Sequence, residues 1–253
     1  MEKLDPSLKA LEIIEACAKS GTEGLGVTEI VNETGLSRST VHRLVTSMTE
    51  SHYLRRVGTS KKFKLGYRLL SLTDSLSNDL KIKDIASPYL HQLSQRTQEA
   101  VHLIQQDGNY AVYVDKIDSP QPVGLLSKVG TRLFLHCTGA GKVLLAHLSP
   151  EQREQIASEV GLPAQTPHTI TDLNQLHQEL ETIKAQGYGY DRMENREGIY
   201  CISGPIYNHR HEVVAAFSVS GPSYRFSLEQ LEQHIPAIRE TSRLISEQLG
   251  YRE

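Results

Sequence analysis

Two sets of side chains have the types and spacing to do chemistry. The first is compact: Ser37, Arg38, Ser39, Thr40, His42, Arg43 and Thr46, followed by Arg55, Arg56, Lys61, Lys62 and Lys64. Arg can donate two hydrogen bonds to guanine, Ser, Thr and His can reach bases or phosphates, and clustered cations grip a phosphate backbone by releasing counterions. The second set is scattered: Gly139, Ala140, Asp191, Cys201, Ser218 and Ser220. Bare backbone N–H groups at the positive end of a helix, as at Gly139 and Ala140, suit a carboxylate. Ser218 and Ser220 stand two apart in an apolar strand, so their hydroxyls share one face, where a polar ligand can supply partners. Each residue of this second set also has a plainer use. Gly139 and Ala140 can make a tight helix entry, the serines can bond to nearby backbone, Asp191 can end a turn, and Cys201 can fill a core.

The elements that must position these groups follow from the apolar pattern. Leu8, Leu11, Ile14 and Ala18 mark a helix over Leu4–Lys19, and Gly21 follows as a stop. A short helix, Thr28–Thr34, ends at Gly35, and Ser37 caps a third helix whose Val41, Leu44, Val45 and Met48 form an apolar stripe. Tyr53–Val57 and Lys62–Leu65 are expected as strands of a hairpin turning at 58–61. Helix, helix, turn, helix, hairpin is a winged helix-turn-helix, whose third helix enters the major groove. Helical pattern returns from Tyr67, pauses at Ser77-Asn78-Asp79, and resumes over Ile82–Thr97, with Pro88 as a kink or a later start. Strands are expected over Ala100–Gln105, Ala111–Ile117, Val123–Lys128, Ile199–Ile206 and Val213–Ser220. Helices are expected over Gly139–His147, Pro150–Ser158, Asp172–Gln186 and Ser227–Leu249. The fold class is α+β with a largely antiparallel sheet, and the expected domains are 1–66, a linker helix over 67–80, and 81–253.

Charge supports this division. The chain of 253 residues has a net charge of −3, which by itself argues against a polyanion partner. By segment it separates into −4 for residues 1–35, +7 for 36–68 and −6 for 69–253. The basic excess falls on the third helix and the hairpin.

Several segments together resemble one family. These are Val27-Thr-Glu-Ile-Val-Asn-Glu-Thr-Gly-Leu-Ser-Arg-Ser-Thr-Val-His-Arg-Leu44, Gly66-Tyr-Arg-Leu-Leu70, Cys137-Thr-Gly-Ala-Gly-Lys-Val-Leu-Leu-Ala146, Gly187-Tyr-Gly-Tyr-Asp191, Glu197-Gly-Ile-Tyr-Cys-Ile202 and Phe217-Ser-Val-Ser-Gly-Pro222. In this order they resemble the isocitrate-lyase-regulator type (IclR) of transcription factor. The resemblance implies a GAF-like effector-binding domain, assembly into homodimers or homotetramers, and control of small-carbon catabolic genes. It also implies that Gly139 and Ala140 face an effector carboxylate, with Asp191, Cys201, Ser218 and Ser220 around the rest. The implied effector is a small 2-oxo or hydroxy acid, with sugar acids of the 2-keto-3-deoxygluconate kind favoured.

The expected function is a ligand-responsive repressor acting on a double-stranded operator with an inverted repeat. The expected location is the cytoplasm, since no window reaches the length of a membrane span and the first residues lack a secretory core. A nucleotide-binding P-loop fails at Gly141-Lys142, because His136 stands where the first Gly belongs and Val143 follows the Lys. Three separated cysteines offer neither a disulfide framework nor a zinc site, and no cofactor or metal is expected. Two other classes compete: a thiol- or serine-dependent hydrolase using Cys201 or Ser218, and a DNA-bound partner-recruiting protein without an effector. The first lacks a G-x-S-x-G elbow or a reactive-Cys signature.

Overall fold

The computed structural model describes residues 6–21, 23–72, 81–121 and 127–252. The chain divides into two compact units, Met1–Lys81 and Ile82–Glu253.

In the first unit, α1 (Pro6–Lys19), α2 (Val27–Thr34) and α3 (Arg38–Glu50) are followed by β1 (Leu54–Arg56) and β2 (Phe63–Leu65). Gly35 stops α2 at a φ of 67°, a left-handed conformation that costs glycine nothing. The Ser37 hydroxyl then accepts from the Thr40 N–H at 3.3 Å and starts α3. Ile13, Ile30, Val41, Val45, Leu54 and Phe63 close one core. β1 and β2 pair antiparallel with Arg55 opposite Lys64, and Leu25 adds an isolated bridge to Phe63 that periodicity did not signal. Residues 68–72 are helical; the pause at Ser77-Asn78-Asp79 and the rest of the expected linker lie outside the described residues.

The second unit has a six-stranded sheet between two helical layers. Its strands are β3 (Ala100–Asp107), β4 (Tyr110–Ile117), β5 (Arg132–Phe134), β6 (Gly189–Arg192), β7 (Ile199–Tyr207) and β8 (Val213–Pro222). Their order is β5-β4-β3-β8-β7-β6, with every neighbouring pair antiparallel. The helices are α4 (Lys81–Thr97), α5 (Gly139–Ala146), α6 (Pro150–Val160), α7 (Leu173–Gln186), α8 (Leu228–Gln233) and α9 (Ile235–Gln248). Strand alternation decides what each layer covers. Ala215, Phe217 and Val219 of β8 pack with Leu90 and Leu93 of α4 and Ile238 and Ile245 of α9. Ala216 joins the opposite cluster, with Ala140 and Val143 of α5 and Leu180 of α7. Ser218 and Ser220 share that second face.

Four expectations change. Ser127 and Lys128 are not in a strand, and residues 122–126 of the expected Val123–Lys128 strand lie outside the described residues. The edge strand is β5 instead, too short for a clear alternation. Asp191, a candidate turn residue, lies instead in a strand, β6 over Gly189–Arg192. The single helix expected over Ser227–Leu249 is two, broken at His234, because Pro236 lacks the N–H that a continuous helix would use. Pro88 neither breaks nor delays α4, which runs unbroken through it.

Candidate functional site

Gly139, Ala140, Asp191, Cys201, Ser218 and Ser220 all line one narrow cavity in the second unit, with about 20 Å³ of free volume, room for about one water. Sheet register brings most of them together. Asp191 of β6 stands opposite Cys201 of β7, which stands opposite Ser220 of β8; the next rung joins Ser203, Ser218 and His102 of β3. The Ser218 and Ser220 hydroxyls lie 3.4 Å apart, and the Cys201 thiol is 3.9 Å from Asp191 Oδ2.

The first turn of α5 closes the cavity. The Thr138 hydroxyl accepts from the Gly141 N–H at 3.1 Å, and the Thr138 carbonyl accepts from the Lys142 N–H at 2.8 Å. Neither bond uses the Gly139 or Ala140 N–H, so the positive end of the helix is turned toward the cavity. Gly139 is required by close packing: a Cβ there would lie 2.6 Å from the Ser203 hydroxyl and 3.2 Å from the Asp191 nitrogen. The buried Ser203 hydroxyl has no hydrogen-bond partner among the described residues.

Asp191 is held from behind. Its Oδ1 accepts from the Glu194 N–H at 2.7 Å and the Asn195 N–H at 3.3 Å. The Glu194 carboxylate takes Lys142 Nζ at 2.6 and 2.8 Å, and Glu179 takes the same ammonium at 3.1 Å. Lys142 is fully buried, so these carboxylates are what make its charge tolerable. Burial raises the Asp191 carboxyl to about 7; the Glu194 charge adds to this, and the backbone N–H groups and Lys142 oppose it. Burial also holds the Cys201 thiol well above its ordinary range, with the Asp191 charge second. Cys201 is therefore a neutral wall group hydrogen-bonded to Asp191 and Ser220 and, among the described residues, to no histidine.

Ile104, Tyr113, Leu133, Thr138 and Asn195 complete the inner wall, and sequence reasoning missed them. Thr138 carried a signal, as the N-cap type preceding Gly139. Tyr113 and Asn195 carried none, since strand register and the turn after β6 place them. Tyr113, Leu133, Asn195, Cys201 and Ser220 of this wall also line an adjoining outer chamber of about 350 Å³. His102, Ser127, Lys128, Thr131 and Arg196 line it together with the shared Tyr113, Asn195, Cys201 and Ser220. His102 Nε2 bonds the Ser127 hydroxyl at 2.7 Å. Burial, helped by Lys116, lowers its imidazole to about 4, so the ring is neutral at physiological pH.

In the first unit, Ser37, Arg38, Ser39, His42, Arg43 and Thr46 are exposed along one side of α3, and Thr40 is half-buried. Arg38 and Arg43 form no ion pair among the described residues, whereas the Thr40 and Thr46 hydroxyls bond within the helix start and turn, to Ser37 Oγ and the His42 carbonyl at 2.8 Å each. On the hairpin, Arg56 and Lys61 are exposed and Arg55, Lys62 and Lys64 half-buried. Arg55 is engaged within the unit, its guanidinium 4.5 Å from the Tyr67 ring centre and its Nε donating to the Leu65 carbonyl at 3.2 Å. Arg68, which sequence reasoning did not single out, is exposed and stacks at 5.0 Å over Tyr53. Among the described residues no cluster of three metal-ligating side chains occurs, and no helix is long and apolar enough to cross a membrane.

Comparison with known proteins gives concordant matches to both units. The IclR helix-turn-helix domain matches residues 8–58, and the Bacterial transcriptional regulator IclR C-terminal family matches residues 75–247. The HTH-type transcriptional regulator KdgR of Escherichia coli is 33% identical over 246 residues, covering 97% of this chain and 93% of the relative. The acetate operon repressor of Salmonella typhimurium is 29% identical over 227 residues, covering 89% and 82%. The crystal structure of Thermotoga maritima IclR superposes with a TM-score of 0.84 at 32% identity, covering 98% of this chain and 100% of that one. An IclR homolog from Microbacterium hydrocarbonoxydans, solved in complex with 4-hydroxybenzoate, superposes with a TM-score of 0.80 at 27% identity, covering 97% and 99%. With a helix-turn-helix unit and an α+β unit both matched in order, the chain belongs to the IclR family of transcriptional regulators.

Proposed function

We propose that this regulator is a repressor whose operator affinity is set by a small carboxylate effector bound in the cavity beneath α5. The observation that carries the reading is the convergence of Gly139, Ala140, Asp191, Cys201, Ser218 and Ser220 on one enclosed wall. The effector carboxylate sits at the first turn of α5, and its hydroxyl or keto groups meet Asp191, Ser218 and Ser220. Residues 1–66 read DNA, 67–80 connect, and 81–253 bind the effector. Arg38 and Arg43 contact base edges, Ser37, Ser39, Thr40, His42 and Thr46 contact bases or phosphates, and Arg56, Lys61, Lys62 and Lys64 hold the backbone from the wing. Arg55 contributes through packing on Tyr67 more than through phosphate contact. The protein acts as a homodimer or higher homo-oligomer on an inverted repeat, because two recognition helices related by a two-fold axis read two half-sites. The acetate operon repressor among its relatives supports the sign of regulation.

A hydrolase reading is disfavoured by the neutral Cys201 thiol, to which no histidine is hydrogen-bonded among the described residues. The test is a thermal-shift panel of 2-oxo, hydroxy and sugar acids, followed by gel shifts on the protein's own upstream DNA. At least one acid should stabilise the protein and release DNA, and Ser218→Ala with Ser220→Ala should lose both effects. Stabilisation by no acid removes the effector reading.

A further inference from the structure

The two chambers of the cavity carry opposite charge. The inner wall has one ionisable acid, Asp191, and no cation; the outer wall has Lys128 and Arg196 and no carboxylate. Neither Lys128 nor Arg196, both exposed at the mouth, forms an ion pair among the described residues. Around these two cations stand neutral hydrogen-bonding groups: the His102 ring bonded to Ser127, the Tyr113 phenol, Thr131 and the Asn195 amide. The outer chamber alone, at about 350 Å³, is of the size that holds ligands well beyond three carbons. A three-carbon acid anchored at α5 would leave most of the outer chamber, with both cations, untouched.

We infer that the effector carries a second anionic group at its far end, which reaches the outer chamber and is held there by Lys128 and Arg196. The ligand class is an unbranched dianion of about five or six carbons, one carboxylate at the α5 terminus and the other acidic group at the mouth. Arg196 offers a fork that matches a carboxylate or a phosphate alike, and Lys128 a point charge. A terminal carboxylate and a terminal phosphate ester are therefore the two sources of this one chemistry. Tyr113, which lines both chambers and has the His102 ring 4.6 Å from its own, sets the ligand's length. The inference rests on the effector reading above and adds the class of molecule.

The test is titration calorimetry on the full-length protein with length-matched probes: 2-oxoglutarate and 2-oxoadipate, 2-oxohexanoate and gluconate as single-charge controls, and 6-phosphogluconate for the phosphate source. Both cations are exposed, so salt is kept near physiological strength. A dianion should bind at least about tenfold more tightly than 2-oxohexanoate or gluconate. Lys128→Gln with Arg196→Gln should remove that preference while leaving the binding of the singly charged acid within about twofold. Preference for the phosphorylated probe over the diacids identifies the phosphate source and supports the inference equally. Equal or tighter binding of the single-charge acids, or a preference unchanged in the double variant, overturns it while leaving the effector reading intact. Binding of no acid of either kind overturns both.

Discussion

Asp191→Asn should uncouple effector binding from proton uptake. The Asp191 carboxyl is raised to about 7, first by burial and then by the Glu194 charge, so its protonated form dominates below that pH. Its Oδ1 is committed to the Glu194 and Asn195 N–H groups, which leaves Oδ2, on the Cys201 side, to carry the proton and donate it toward a ligand. A carboxylate entering the same cavity meets a hydrogen-bond donor when Asp191 is protonated and a like charge when it is not. If binding selects the protonated form, apparent affinity falls about fivefold from pH 7 to 8 and about tenfold for each unit beyond. Calorimetry in buffers of different ionisation enthalpy reads the linked proton directly: about half a proton taken up at pH 7 and about nine-tenths at pH 8. Asp191→Asn should bind with a flat pH profile and no uptake. A wild-type protein that takes up no proton at pH 8, with a profile matching the variant's, would refute the reasoning. The same shift has a stability sign. Between about 4 and 7 the native state holds a proton that the unfolded chain has lost, so Asp191 makes stability fall as pH rises through that window. His102, lowered to about 4, contributes the opposite slope up to its ordinary value near 6.5, and Asp191→Asn should expose it.

Four further perturbations follow. Lys142→Met leaves the buried Glu194 carboxylate without its ammonium and should cost about 3–5 kcal/mol by urea denaturation, whereas a loss below about 1 kcal/mol would mean the triad is incidental. Arg38→Ala or Arg43→Ala should each weaken specific operator binding by about 1–3 kcal/mol. Lys64→Ala should weaken all sequences alike and lower the salt slope by about one, and a sequence-selective loss there would place the wing wrongly. Gly139→Ala should destabilise by about 1–3 kcal/mol through overpacking on Ser203, and adding Ser203→Ala should restore part of it; additive losses in the double variant would show that the two do not touch.

The DNA-reading unit was legible because each device in it is local. Gly35, the Ser37 cap and the Val41, Val45, Met48 stripe lie within fourteen residues, and the +7 segment coincides with the surface they build. Ser218 and Ser220 announced a polar face by their spacing alone. What joins them to Asp191 and Cys201 is cross-strand register, which spacing along the chain does not encode. Gly139 looked like a helix entry, and its closeness to Ser203 appears only when α5 lies on the sheet. The role of Lys142 was hidden because a fully buried lysine depends on two glutamates 37 and 52 residues away. The outer chamber was not foreseen, since neither Lys128 nor Arg196 lies in a segment that resembled the family's ligand motifs.

The most direct measurement is the affinity of the full-length protein for its own upstream DNA, by fluorescence anisotropy near physiological salt, with and without the acid that most stabilises it. That acid should weaken DNA binding by at least about tenfold, and the Ser218→Ala, Ser220→Ala variant should bind the same DNA with no response to it. DNA affinity unchanged at saturating acid, with the acid demonstrably bound, would contradict a regulator controlled through this cavity.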